Sequence, residues 1–258
     1  MAEKIMLWKT EAPYSEYSSD RLLPSLEAWP AKGSRGAMVV CPGGGYTHKA
    51  AHEGAPVASM LQEAGISAYV LDYRVAPCHR EAPLADAKRA IRLLKQMGYE
   101  KVGIMGFSAG GHLCCCAATL YDAGNPQSDD PAERFSSRPD VFGPCYAVVS
   151  FGQYTHMGSR ESLLGKDKDD APLIRRFSAE MNVTADTPPA FIWHTAEDGA
   201  VPVQNSLQLA AALKEKGVPF EMHIYPFGRH GLGLAKGHPA AGWSGELCRF
   251  LQAMGFGK

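Results

Sequence analysis

Three residue types at the right order and spacing carry the chemistry this chain can do. Ser108 lies in Gly106-Phe107-Ser108-Ala109-Gly110, between the apolar run Val102–Met105 and the small, apolar run Cys114–Leu120. A serine between two glycines, entered by a strand and left by a helix, sits on a turn too tight for larger neighbours. Its hydroxyl is a poor nucleophile until a base removes the proton, and the base needs a carboxylate to hold its tautomer. Asp198, before Gly199 at the end of the apolar run 190–195, meets the acid requirement, with Glu197 as its rival. His230, between Arg229 and Gly231 after the run 220–225, meets the base requirement.

Nine histidines compete for that role. His48 and His52 precede the serine, His112 falls on the helix after it, and His194 and His223 fall within strands. His238 is downstream in a less constrained segment, so His230 is preferred. A developing oxyanion also needs backbone donors. Ala109, next to the nucleophile, offers one N–H. The three glycines of Pro42-Gly43-Gly44-Gly45-Tyr46 are more than a turn requires, and the N–H groups of Gly44 and Gly45 are the natural complement.

The elements that position these residues follow from periodicity. The runs at 37–41, 66–71, 101–105, 145–150, 190–195 and 220–226 are apolar without strict alternation, which fits strands buried on both faces. Short strands at 5–8 and 25–29 are expected at the edge. Helices are expected at 52–64, at 83–97 with Lys88, Arg89, Arg92 and Lys95 on the polar side, at 203–216 and at 243–254. The polar stretch 121–138 reads as a surface loop, and 151–188 as a modest mixed excursion of the kind that caps a site. Strands alternating with helices predict an α/β fold, a mostly parallel central sheet with helices on both faces, in a single domain spanning 1–258.

With 45% hydrophobic and 21% charged residues and a formal net charge of -1, the chain has the composition of a globular protein without a nucleic-acid or polybasic membrane surface. No apolar run approaches a membrane span, and the first nine residues are too short and charged for a signal peptide. Seven cysteines with no C-x-x-C spacing, three of them consecutive at 114–116, read as reduced, buried thiols and point to the cytoplasm. No cofactor or metal is called for.

Five motifs occur in order: Pro42–Tyr46, Asp72–Pro77, Gly106–Leu113, His194–Asp198 and His230–Leu234. Together they resemble α/β-hydrolase esterases of the acetyl xylan esterase-like group (carbohydrate acetyl or feruloyl esterases), related to the hormone-sensitive-lipase-like group. The glycine loop departs from the HGGG form by carrying Pro42 in the histidine's place. The resemblance implies metal-independent hydrolysis of short acyl esters on small or oligosaccharide substrates. Residue by residue, it implies Ser108, Asp198 and His230 as triad and Gly44, Gly45 and Ala109 as oxyanion donors. The small excursion favours short acyl groups, and Tyr46, Tyr154, Met157 and Trp243 are expected to line the pocket. The rivals are a prolyl-oligopeptidase-like peptidase, which would need an additional domain or anchor, and a hydrolase fold that binds a ligand without turning it over.

Overall fold

The computed structural model describes residues 3–17 and 23–257. It contains one eight-stranded sheet built from β1 (Glu3–Met6), β2 (Ser25–Trp29), β3 (Gly36–Cys41), β4 (Ser67–Asp72), β5 (Lys101–Phe107), β6 (Phe142–Cys145), β7 (Ala190–Thr195) and β8 (Phe220–Tyr225). The spatial order is β1-β2-β4-β3-β5-β6-β7-β8, with the β1–β2 and β2–β4 pairings antiparallel and all the others parallel. Parallel neighbours require crossovers, and helices supply them: α1 (Ala55–Glu63), α2 (Ala82–Gln96), α3 (Ser108–Thr119), α4 (Met157–Leu164), α5 (Ala171–Arg176) and α6 (Gln204–Glu215); α7 (Trp243–Ala253) follows the last strand.

β3 shows why its sequence lacks alternation. All six of its residues are buried; Ala37, Val39 and Cys41 face one core, and Met38 and Val40 face the other. The first core is closed by α2, α3 and α6 through residues such as Leu84, Ile91, Leu113 and Leu209, and the second by α1 and α7 through Leu61, Leu247 and Leu251. α3 is buried from Ser108 to Ala118, so it has no polar face, and burial pushes the Cys114, Cys115 and Cys116 thiols up, away from reactivity.

Two expectations shift. The expected strand at 145–150 lies earlier, at Phe142–Cys145. From Tyr146, which has φ 33°, the chain leaves the sheet, and the Val148 N–H donates to the Ser108 carbonyl. Ala147, Val148, Val149 and Phe151 are apolar because they are packed in the same core as the helix that begins at Ser108. Arg89 and Arg92, expected on the polar side of α2, are buried. The 121–138 segment folds over them: Arg89 reaches Asp130 at 2.6 Å and Glu133 at 2.9 Å, and Arg92 reaches Glu133 at 2.9 Å.

Candidate active site

β5 runs into α3 without an intervening loop, and Ser108 at the junction has φ 53°. Such a left-handed serine is strained and is held by its surroundings. A Cβ at Gly106 would lie 2.1 Å from the Gly110 carbonyl oxygen; one at Gly110 would lie 2.2 Å from that of Cys41 and 2.4 Å from that of Pro42. Both glycines are therefore required by backbone approach, which is the physical content of the G-x-S-x-G spacing.

The turns after β7 and β8 bring the other two residues to this point. His230 Nε2 lies 2.8 Å from Ser108 Oγ, and His230 Nδ1 lies 2.6 Å from Asp198 Oδ2. Asp198 Oδ1 accepts the N–H groups of Ala200 and Val201, each at 2.9 Å. A second imidazole also faces the carboxylate: His194 Nε2 lies 3.3 Å from Oδ2 while donating to the Val201 carbonyl, and its Nδ1 sits 2.8 Å from Ser206 Oγ. Burial by itself works against ionisation, but the hydrogen bonds from His194, His230 and the Val201 N–H outweigh it and hold the Asp198 carboxyl well below the usual carboxylate range. Glu197, the rival acid, instead accepts the Gly228 N–H at 3.0 Å. The competing histidines are engaged elsewhere: His112 with Tyr46 and Phe177, His223 with Glu221, and His238 with the Ala240 N–H.

The glycine loop after β3 lies against Ser108. Gly44 and Gly45 have φ 128° and 63°, and a Cβ at Gly44 would meet the His48 carbonyl oxygen at 2.2 Å. Among the described residues, neither of their N–H groups has an acceptor. Gly43 differs: its N–H donates to Glu53 Oε2 at 2.7 Å, so it is committed to the protein. The loop is also held from below. Tyr73 Oη donates to the Pro42 carbonyl at 2.6 Å, Lys49 Nζ donates to the Tyr73 carbonyl, and the Ala76 N–H donates to the Tyr46 carbonyl. The Asp72–Pro77 motif is thus a support for the glycine loop.

Glu53 was not visible in the sequence as a site residue, because a lone glutamate ahead of an amphipathic helix ordinarily faces solvent. Here it is buried, and its second oxygen accepts from Tyr146 Oη at 2.6 Å. Tyr146 Oη in turn accepts the Gly233 N–H at 2.8 Å, and the tyrosine ring packs edge-on to His230 with centroids 5.1 Å apart. Trp243 Nε1 donates to the Gly233 carbonyl at 3.1 Å, and His52 Nε2 donates to that of Gly231 at 3.0 Å. Glu53 and Tyr146 therefore tie the glycine loop to the loop that bears His230.

Ser108 and His230 open into a cavity of about 410 Å³ whose other walls include Gly44, Gly45, His48, Glu53, His156 and Ser162. The expected pocket aromatics do not form it. Tyr46 is buried with its hydroxyl 2.8 Å from His112 Nδ1, and Trp243 is buried behind Gly233. Tyr154 and Met157 flank the cavity's His156 without lining the cavity, and Met157 is exposed. A larger hollow of about 540 Å³ lies over the β2–β4 pair, bordered by the Lys49–Asp72 ion pair; it contains no nucleophile–base pair. Among the described residues, Glu221, His223 and Glu246 are close enough to share a cation, but they lie away from the cavity and are already paired, Glu221 with His223 and Glu246 with Arg249.

An eight-stranded, mostly parallel sheet with a serine on the strand–helix turn, and an acid and a histidine on later turns, defines an α/β-hydrolase fold. Residues 28–213 match the BD-FAE family model, and the chain belongs to that family. The match contains Ser108 and Asp198 and ends before His230. The chain is 38% identical over 261 residues to endo-1,4-beta-xylanase B of Butyrivibrio fibrisolvens, covering 96% of this chain and 40% of that protein. It is 33% identical over 215 residues to acetylxylan esterase of Xylanibacter ruminicola, covering 79% and 42%. It thus spans about four-tenths of the length of these curated relatives. Among solved structures, the acetyl ester-xyloside bifunctional hydrolase from Caldicellulosiruptor lactoaceticus superimposes with TM-score 0.95 at 42% identity, covering 100% of this chain and 98% of that one. No helix among the described residues is long and apolar enough to cross a membrane.

Proposed function

We propose that this chain is a serine carboxylesterase acting on short acyl esters of carbohydrates, acetylated xylan fragments first and feruloylated ones second, within one α/β-hydrolase domain over 1–258. The observation that carries the reading is the 2.8 Å and 2.6 Å relay from Ser108 through His230 to Asp198, beside the unengaged N–H groups of Gly44 and Gly45. The acetylxylan esterase and the acetyl ester-xyloside hydrolase among its relatives support the substrate class.

Ser108 Oγ attacks the ester carbonyl while His230 Nε2 takes its proton, and Asp198 stabilises the imidazolium without itself being protonated. The tetrahedral oxyanion is held by the N–H groups of Gly44, Gly45 and Ala109; each such donor is worth roughly 3 kcal/mol. His230 then protonates the departing sugar alkoxide, leaving an acyl-Ser108. Water attacks this ester with His230 again as base, and the carboxylic acid leaves. A base of this kind works unprotonated, so the rate falls in acid. Seven unpaired cysteines, five of them buried, support a reducing, cytoplasmic setting.

A fluorophosphonate probe at neutral pH is expected to label Ser108, and Ser108→Ala to remove both the label and roughly 10⁶-fold of kcat. Acetylated xylo-oligosaccharides are expected to be cleaved faster than feruloyl esters and aminoacyl amides, and p-nitrophenyl acetate faster than the octanoate. Absence of a Ser108 adduct would favour a ligand-binding scaffold. Faster amide cleavage would make the protein a peptidase.

A further inference from the structure

His156 forms part of the wall of the cavity that holds Ser108 and His230. It stands at the N-terminus of α4, and the helix fixes its ring. Nδ1 accepts the Ser159 N–H at 3.2 Å and lies 2.9 Å from Ser159 Oγ, with Ser159 fully buried. An imidazole nitrogen that accepts a backbone N–H carries no proton, so the hydrogen of the neutral ring is on Nε2. Burial, and then the nearby His230, lower the His156 pKa below its ordinary value, which keeps the ring neutral. Among the described residues Nε2 has no hydrogen-bond partner.

The reaction leaves this group unused, since His230 carries both proton transfers. A directed donor on the wall of an acyl-transfer cavity gains only if the substrate brings an acceptor, and it is left underused by a substrate that lacks one. An acetyl group has one acceptor, the carbonyl oxygen, and the oxyanion donors take that. The alcohol side is richer: on a xylose unit, an acylated hydroxyl has another hydroxyl on an adjacent carbon.

We infer that His156 is a specificity-determining residue whose Nε2–H donates to the hydroxyl oxygen adjacent to the acylated position of a sugar ester. The inference rests on the esterase reading above and sharpens it to esters of vicinal diols.

The test pairs two substrates with two proteins. The substrates are an acetylated xyloside and its deoxy analogue lacking the adjacent hydroxyl. The proteins are the native chain and His156→Asn, whose shorter amide preserves a helix-capping acceptor but does not extend to the position of Nε2. The native protein is expected to prefer the hydroxylated ester by about tenfold in kcat/KM, the value of one well-placed hydrogen bond. In His156→Asn that preference is expected to collapse towards one. Because the readout is a ratio within each protein, a general loss of folding or activity leaves it interpretable. Equal ratios in the two proteins, or no preference in the native protein, overturn the inference. If neither ester is cleaved and no fluorophosphonate adduct forms on Ser108, the esterase reading itself fails.

Discussion

At the scale of single residues, the site depends on side chains that brace its two loops against each other. Glu53 and Tyr146 link Gly43 to Gly233, and so set the distance between the glycine loop and the loop of His230. Removing the Tyr146 hydroxyl takes the partner from Glu53 Oε1 and from the Gly233 N–H and loosens both loops, and small displacements of reacting groups are expensive in rate. Tyr146→Phe is therefore expected to lower kcat on the order of 10²-fold with little change in KM. The fluorophosphonate labelling rate should fall in parallel, while the far-ultraviolet spectrum is retained. A large rise in KM with kcat unchanged would instead place Tyr146 against the substrate. Much of this level was legible in advance. Ser108, Asp198 and His230 could be singled out because a nucleophile, an acid and a base each need a turn after a strand, in a fixed order. Glu53 could not, because its role depends on which carboxylate is buried. The aromatics failed for the converse reason: Tyr46 and Trp243 are near the site in sequence and in space, but their polar atoms are spent on His112 and Gly233.

At the scale of elements, the β5–α3 junction leaves no room for added atoms. Gly110→Ala would drive a Cβ into the carbonyl oxygens of Cys41 and Pro42, neither of which is a flexible side-chain end. The expected result is a loss of more than about 4 kcal/mol, or no soluble protein at all, read by denaturant unfolding. A variant of native stability would mean that β3 can move away from α3. Strand positions were readable wherever an apolar run was bounded by glycine, proline or charge. The run 145–150 misled because burial on all sides selects apolar residues whether the backbone is a strand or a segment packed over a helix. The arginines of α2 misled because amphipathic periodicity separates apolar from charged faces without showing whether a later acidic segment folds over the charged one.

At the scale of the whole molecule, the buried histidine on α3 makes stability depend on pH. His112 accepts from Tyr46 Oη and donates from Nε2 to the Phe177 carbonyl at 2.7 Å, so it joins the glycine loop to the segment following α5. Burial outweighs the Phe177 hydrogen bond and lowers its pKa to about 4. The unfolded chain takes up this proton near pH 6.5, whereas the folded chain resists it until about 4. Stability from this group is therefore complete above pH ~6.5, declines as pH falls through that window, and changes no further below about 4. The total is about 3 kcal/mol. Unfolding midpoints of the native protein and His112→Gln, compared from pH 7 to 4, are expected to show a shallower decline in the variant; parallel curves would remove His112 as the cause.

The hold on Gly233 has a consequence for how such a site changes over time. Tyr146 grips the amide hydrogen of that residue and Trp243 grips its carbonyl, so both act on main-chain atoms that every amino acid possesses. The place of His230 is thus set in part by residues outside the loop that carries it. Side chains of that loop that face solvent, such as the widely exposed Phe227, are free to drift or to be randomised without displacing the imidazole. Selection, natural or in the laboratory, can then vary that loop while the Ser108–His230–Asp198 arrangement is inherited unchanged.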